Sequence, residues 1–250
     1  ASYLFLSNDL NAQLQKARKG LELLEEGGFK KSDYRSLASF FVEDTAHVVR
    51  VKALHKHLKK LQPFLTRSSD LPYLVLLTRN SDGQEQVRAE SIQAYYKALQ
   101  KLNFKIGDSL QALAQLLTLY KAEYVEQLAL YVQQLKVEFE ARGLKMKRKY
   151  YPYIGVLAIQ ATNTQQVEQI VKLVAALEQS NALKGTRDLS FVIAVQKFMY
   201  EQADTSIENA TITRSSMQEE WLYVFMDLFF YFPSIVLDGI DVVLDIDFSI

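Results

Sequence analysis

Residues 103–113 read NFKIGDSLQAL, and 40 residues later 143–153 read GLKMKRKYYPY. Both runs open on a residue that tolerates the left-handed backbone, Asn103 or Gly143. An apolar residue follows (Phe104, Leu144), and then a lysine (Lys105, Lys145). Six and nine residues after the apolar one come a further apolar pair, Leu110 with Leu113 and Tyr150 with Tyr153. Gly or Asn at such a place stops a helix, and the residue after it folds back onto the last turn. The pair at +6 and +9 is one helical turn apart and seals a second helix against the first. The two runs therefore read as joints between paired helices.

The same mark recurs along the chain. Gly28-Phe29-Lys30 and Ala182-Leu183-Lys184 carry it, and Pro63-Phe64-Leu65 is a weaker copy. Taking the apolar residue as anchor, the steps are 35, 40, 40 and 39 residues. Leu189 and Val192 keep the +6 and +9 spacing, while Tyr34 and Leu37 run one residue short. Before each mark lies a long segment with apolar residues at helical spacing, such as Val48, Val51, Leu54, Leu58 and Leu61. After each mark lies a shorter segment, 32–42, 69–78, 107–119, 148–160 or 186–200, that is apolar nearly all round, as a helix buried between neighbours is. The reading is an all-α chain of about five stacked antiparallel helical hairpins, an α-solenoid-like α-α superhelix, over residues 1–202. Residues 203–250 form an acidic, aromatic C-terminal helix plus a tail that packs on the array. Asp238-Gly239 there suggests a short β-hairpin or an irregular segment.

Three stretches, Leu21–Ala38 (LELLEEGGFKKSDYRSLA), Phe64–Leu77 (FLTRSSDLPYLVLL) and Leu144–Ala158 (LKMKRKYYPYIGVLA), resemble a bacterial domain-of-unknown-function family, number 4003 in its series (DUF4003). The resemblance covers about residues 14–200. It implies a helical protein similar to helical-repeat proteins and transfers no catalytic residue. Set against that resemblance, the chain is expected to lack the family's N-terminal helices and reads as a fragment or a shorter member. The segment 232–250 departs from a helical ending.

Charge is unevenly spread. The chain has 29 Lys plus Arg and 29 Asp plus Glu. Residues 1–200 hold 28 basic and 19 acidic residues; residues 201–250 hold 1 basic and 10 acidic. The basic excess gathers in the lysines after the joints, in Lys56–Lys60 and in Lys145–Lys149. The absence of cysteine excludes disulfide frameworks, thiolate metal sites and thiol catalysis. The apolar run Trp221–Leu237 is broken by Asp227 and Pro233 and is shorter than the ~20 apolar residues of a spanning helix, so no transmembrane segment is expected.

Four groups of residues invite a chemical reading. Gly107-Asp108-Ser109-Leu110 spells the nucleophile block of GDSL-type esterases, but it opens a helix here, where Asp and Ser are natural first-turn residues. It also lacks the strand-to-helix turn that a nucleophilic serine needs. Glu43 and His47 are four apart and share a helical face. Without further ligands they read as a first-turn acid and a partly exposed polar residue, as do Asp44, His55 and His57. Asp245 and Asp247 share a strand face but are too few to hold a divalent cation. Lys145, Lys147, Arg148 and Lys149 form a basic cluster at a helix start, and Trp221, Phe225, Phe229 and Phe230 form an aromatic face. These eight are the candidate interaction residues, and no catalytic, metal or cofactor residue is assigned. The leading reading is a non-enzymatic, cytoplasmic scaffold that binds a protein or peptide, with a homodimer contact through the aromatic segment. One alternative is an enzyme or small-molecule sensor with a tyrosine-lined pocket in the helical stack. A weaker one is phosphate or nucleic-acid binding by the basic clusters, which a modest charge excess disfavours.

Overall fold

A computed structural model describes residues 10–79, 83–180 and 183–208. The described residues form ten α-helices and no strand. They are α1 Leu10–Glu26, α2 Asp33–Ser39, α3 Thr45–Leu61, α4 Leu71–Leu77 and α5 Glu85–Lys101, then α6 Asp108–Tyr120, α7 Glu126–Ala141, α8 Tyr151–Ile159, α9 Thr164–Gln179 and α10 Arg187–Glu208. Single 3₁₀ turns, Ser68–Asp70 and Arg148–Tyr150, lead into α4 and α8. The chain divides into two compact units, Ser7–Val167 and Glu168–Ile250 with Ala1–Leu6. The C-terminal hairpin or irregular segment, like Trp221, Phe225, Phe229 and Phe230, lies outside the described residues.

In the first unit, long and short helices alternate and sort into two rows. The odd-numbered helices pack on one another in order, α1 on α3, α3 on α5 and α5 on α7. The even-numbered helices do the same, α2 on α4, α4 on α6 and α6 on α8. The even row is the core: every residue of α4 is buried, and so is every residue from Leu110 to Thr118 in α6. The odd helices bury one stripe, such as Val48, Val51, Leu54 and Leu58 of α3, and expose their charged faces. That division follows from sequence, since a helix with apolar residues all round must be enclosed and an amphipathic one need not be. Close approach is helped at two glycines. A β-carbon on Gly20 of α1 would stand 2.1 Å from the Ser39 carbonyl oxygen, and one on Gly155 of α8 would stand 2.5 Å from Leu113 Cδ1.

The joints show why the odd helices stop where they do. Gly28, Asn103 and Gly143 adopt φ of 84°, 64° and 80°. The next N–H, of Phe29, Phe104 and Leu144, turns back to the carbonyls of Leu24, Leu99 and Phe139, each at 3.0 Å. This is the Schellman closure that the sequence predicts, and Phe104 and Leu144 are buried beneath it. Leu110, Leu113, Tyr150 and Tyr153 are buried as their spacing requires.

The second joint differs. Phe64 is 88% exposed, not an anchor in the core. Gln62 leaves α3 at φ −139°, without a left-handed residue, and Pro63 has no N–H to close the loop. Buried Gln62 and Thr66 fill the turn instead, with Thr66 Oγ1 donating to the Gln62 carbonyl at 3.0 Å.

At the opposite ends of the short helices, side chains from the long helices satisfy the last carbonyls. Arg50 Nε donates to the Thr78 carbonyl at 2.9 Å, and Arg88 and Tyr131 donate to those of Thr118 and Thr162. The connector 161–164 turns at Ala161 (φ 54°) and closes with a capping box. There Asn163 Oδ1 accepts from the Gln166 N–H at 3.0 Å, and Gln166 Oε1 accepts from the Asn163 N–H at 2.8 Å.

In the second unit, Leu183, Phe191, Ala194, Val195, Phe198 and Met199 are buried. Gly185, two residues after the anchor Leu183, adopts a left-handed backbone (φ 80°). An ion pair of 3.1 Å from Arg187 to Glu178 links α10 to α9.

Candidate interaction surfaces and a buried polar set

The joints of the first unit fall at one edge, because successive odd helices end there. Two contacts tie neighbouring joints together. Arg67 pairs with Asp108 at 3.1 Å, and the Lys105 N–H donates to the Tyr151 hydroxyl at 3.1 Å. The Phe104 ring meets Tyr151 edge-on, with centroids 4.8 Å apart, and Lys136 Nζ stands 5.4 Å from the Phe104 centroid. Lys105, Lys145, Lys147, Arg148 and Lys149 are exposed along this edge, while Met146 and Tyr150 turn inward. The alternation follows from register: the short extended entry to α8 points Leu144 and Met146 into the core and Lys145 and Lys147 outward, and Arg148 and Lys149 open the 3₁₀ turn on its exposed side. Of the eight residues proposed for interaction, the four basic ones therefore share one accessible edge. The four aromatic ones lie outside the described residues.

A second surface is a groove of about 350 Å³ between α5 and α7. These two helices touch at few places, whereas α3 and α5 pack along much of their length. Ala94, Ala98 and Ala129 are among the small residues lining it, with Leu130, half exposed, at its margin. Lys97 and Lys101, one turn apart on α5, stand on one side and Glu126 on the other. Sequence reading missed this groove. Its signal was legible in the alanines at 94 and 98 on the face of α5 that Lys97 and Lys101 flank.

The third feature lies in the core. Asp70 is 5% exposed; its Oδ1 accepts from Gln115 Nε2 at 2.9 Å and its Oδ2 from the Arg67 N–H at 2.7 Å. Burial pushes the Asp70 carboxyl up to about 6, against the pull of those hydrogen bonds. Burial, and then the nearby Tyr153, Asp70 and Tyr34, raise the Tyr73 phenol above the usual tyrosine range. Both amide atoms of Gln111 and Gln115 Oε1 are buried without a hydrogen-bond partner among the described residues. Asp70 sits six residues after Phe64, the register that holds Leu110 and Tyr150 in the next two joints. That substitution of an acid for an apolar residue is the sequence signal that went unread.

His47 corrects a second expectation. It is fully buried, not partly exposed. Asp44 is the N-cap of α3 and not a first-turn acid, its Oδ1 accepting the His47 N–H at 2.7 Å. Glu43 precedes the helix, and its N–H donates to His47 Nδ1 at 3.3 Å. The hydrogen-bond network thus assigns the ring proton to Nε2, which donates to the Val75 carbonyl at 2.9 Å. Burial holds the imidazole below its ordinary value, outweighing the Val75 bond and Glu43. His47 is a neutral link between α3 and the end of α4. His55 packs edge-on to Phe29 with centroids 5.9 Å apart.

The GDSL block behaves as a helix start: Gly107 is the N-cap of α6 and Asp108 is spent on Arg67. Several tyrosines hold connectors. Tyr95 accepts from the Val125 N–H at 3.0 Å and Tyr96 from the Gly107 N–H at 3.2 Å. Among the described residues, no helix is long and apolar enough to cross a membrane.

A family model described as "Protein of unknown function (DUF4003)" matches residues 1–229, further in both directions than the stretch 14–200 that suggested it. The chain is 24% identical over 155 residues to the "Uncharacterized protein YeaA" of Bacillus subtilis (strain 168). That match takes in 62% of this chain and 46% of the relative, so the chain spans about half the length of the curated relative it matches. No solved structure matches.

Proposed function

The chain belongs to the DUF4003 family, described only as of unknown function, so its role is read from its surfaces, and we propose that it is a non-enzymatic scaffold that binds another protein through a peptide segment. The observation that carries this reading is the α5–α7 groove, lined by small and apolar side chains and flanked by charge. A helix laid in a groove is held by apolar anchors at i, i+3 or i+4 and i+7. Alanines at 94, 98 and 129 leave room for such anchors, and acids on the incoming segment meet Lys97 and Lys101. The two rows of helices support an α-solenoid-like array of degenerate repeats, an architecture that presents extended binding faces. The wider reading keeps residues 1–202 as that array and 203–250 as a separate C-terminal element, with the aromatic face from Trp221 to Phe230 as a homodimer contact and a cytoplasmic location.

An enzymatic reading draws no comparable support. Among the described residues, the most perturbed acid, Asp70, is enclosed by Gln115 and the Arg67 backbone; Tyr95 and Tyr96 hold connectors, and Tyr73, Tyr150 and Tyr153 lie in the core. The test uses affinity capture from the native host followed by cross-linking mass spectrometry. Cross-links from one partner should concentrate on α5 and α7, and Ala94→Gln with Ala98→Gln, which fill the groove, should weaken that partner by about tenfold or more. A partner indifferent to both substitutions, or turnover by the purified protein in a substrate screen, overturns the proposal.

A further inference from the structure

The joint edge is a second surface of the first unit, and it meets the groove at Lys101. The segments 59–70, 101–109 and 142–149, which make up three successive joints, hold three, two and five Lys or Arg residues. They hold two acids. One, Asp70, is buried, and the other, Asp108, is tied to Arg67 at 3.1 Å. Between these cations stand the two most exposed large apolar side chains of the described connectors, Phe64 at 88% and Ile106 at 58% exposed. Both project from loop tips, and the Arg67–Asp108 pair holds their loops side by side. Packing explains neither: the counterpart of Phe64 in the third joint, Phe104, is buried, and so is the counterpart of Ile106 in the fourth, Met146.

We propose that this edge docks on an anionic lipid surface, with Phe64 and Ile106 entering the headgroup boundary and the flanking lysines and arginines meeting lipid phosphates. Protruding apolar tips ringed by cations suit a fluid, negatively charged plane, which takes up apolar side chains and attracts basic residues within a Debye length. An acidic peptide needs a concave seat for its anchors, and the groove that offers one holds neither Phe64 nor Ile106. A nucleic acid would stack on Phe64 but has no use for Ile106, which lacks a π face. The edge is a peripheral contact and does not span the bilayer.

The experiment is co-sedimentation of the full chain with vesicles of equal parts phosphatidylcholine and phosphatidylglycerol, and with vesicles of phosphatidylcholine alone. Binding is expected only to the former and should fall with added salt. Removing each edge cation should cost about fivefold, so Lys145→Gln, Lys147→Gln and Arg148→Gln together should reduce binding by on the order of a hundredfold. Phe64→Ala with Ile106→Ala should cost about tenfold or more. A charge-matched triple within the first unit but away from the joints, Lys16→Gln, Lys52→Gln and Lys121→Gln, should leave binding nearly unchanged. Phe64→Trp in a Trp221→Phe background gives a readout apart from affinity, a blue shift of emission with the anionic vesicles alone. The proposal falls if the chain does not sediment with anionic vesicles, or if the remote triple weakens binding as much as the edge triple. It also falls if single-stranded RNA competes with the vesicles while Phe64→Ala and Ile106→Ala change nothing. Loss of binding by the groove variants with the edge intact would show that the groove, and not the edge, touches lipid.

Discussion

Two joints that share a phenylalanine at the anchor end in opposite ways. In the third, Asn103 turns left-handed, Phe104 is 3% exposed, and Tyr151 of the next hairpin closes over it. In the second, Gln62 and Pro63 replace the left-handed residue, and Phe64 is 88% exposed. The aromatic residue is common to both; the residue before it decides where the ring goes. A position with left-handed backbone sends the chain back across the helix end and drives the following side chain inward. A proline there sends the chain onward, and the core is filled by Gln62 and Thr66 instead.

The largest test of this contrast is truncation of the buried ring. Phe104→Ala should cost about 3–5 kcal/mol, the usual range for a buried phenylalanine. Urea unfolding monitored by circular dichroism would measure it. A loss below about 1 kcal/mol would mean that the third joint does not anchor its hairpin.

The same two hairpins differ in what they bury six residues on, and that difference is readable in pH. Leu110 follows Phe104, while Asp70 follows Phe64. The Asp70 carboxyl is raised to about 6 in the fold from an ordinary 3.8. The folded state therefore holds its proton more tightly than the unfolded chain. The resulting stability is complete below the unfolded value and is lost as pH rises through about 6. Its ceiling is about 3 kcal/mol, at about 1.4 kcal/mol for each tenfold gain in proton affinity. His47 acts in the opposite sense. Its folded value is depressed, so its contribution is present above the ordinary imidazole value of 6.5 and is lost as pH falls below it. Asp70→Asn should flatten the decline in stability between pH 4 and pH 6. Chemical denaturation across that range checks it. An unchanged slope would show that Asp70 is not the group responsible.

The sequence disclosed the parts of this fold that rest on local chemistry. Helical periodicity marked the long helices, and the all-apolar runs marked α4, α6 and α8 as enclosed. Gly28, Asn103 and Gly143 announced their left-handed turns because few other residues accept them. What stayed hidden depends on neighbours distant in the chain. His47 looks like a surface residue of an amphipathic helix until the carbonyl of Val75 is brought to its ring. Asp70 looks like a helix-start acid until α6 brings Gln115 to it. The α5–α7 groove is set by how loosely two helices meet, a quantity that no single helix carries. The basic cluster at Lys145–Lys149 was legible as a charge run. Its continuity with Phe64 and Ile106 was not, because it needs the joints to share an edge.

A smaller effect separates the left-handed residue itself from the ring it positions. Gly143 sits at φ 80° with nothing within 4 Å of where a β-carbon would lie. Gly143→Ala therefore introduces conformational strain without a clash, and should cost about 1–2 kcal/mol. Thermal unfolding would check it, and no loss would mean that Leu144 alone holds the fourth joint closed.

The smallest effect is the sharpest for the comparison. Phe64→Ala removes as much side chain as Phe104→Ala, but from a ring already in water, so stability should change by no more than about 0.5 kcal/mol. Two outcomes are informative because the residues share one register. If Phe64→Ala costs as much as Phe104→Ala, the second joint closes on its phenylalanine in solution, and the proline has not turned it out. If it leaves stability untouched while lowering attachment to anionic vesicles, the ring is held in solvent for a surface outside the fold. The register then has two uses in one chain: where the backbone turns left-handed it builds the core, and where Pro63 forbids that turn it builds an edge for binding.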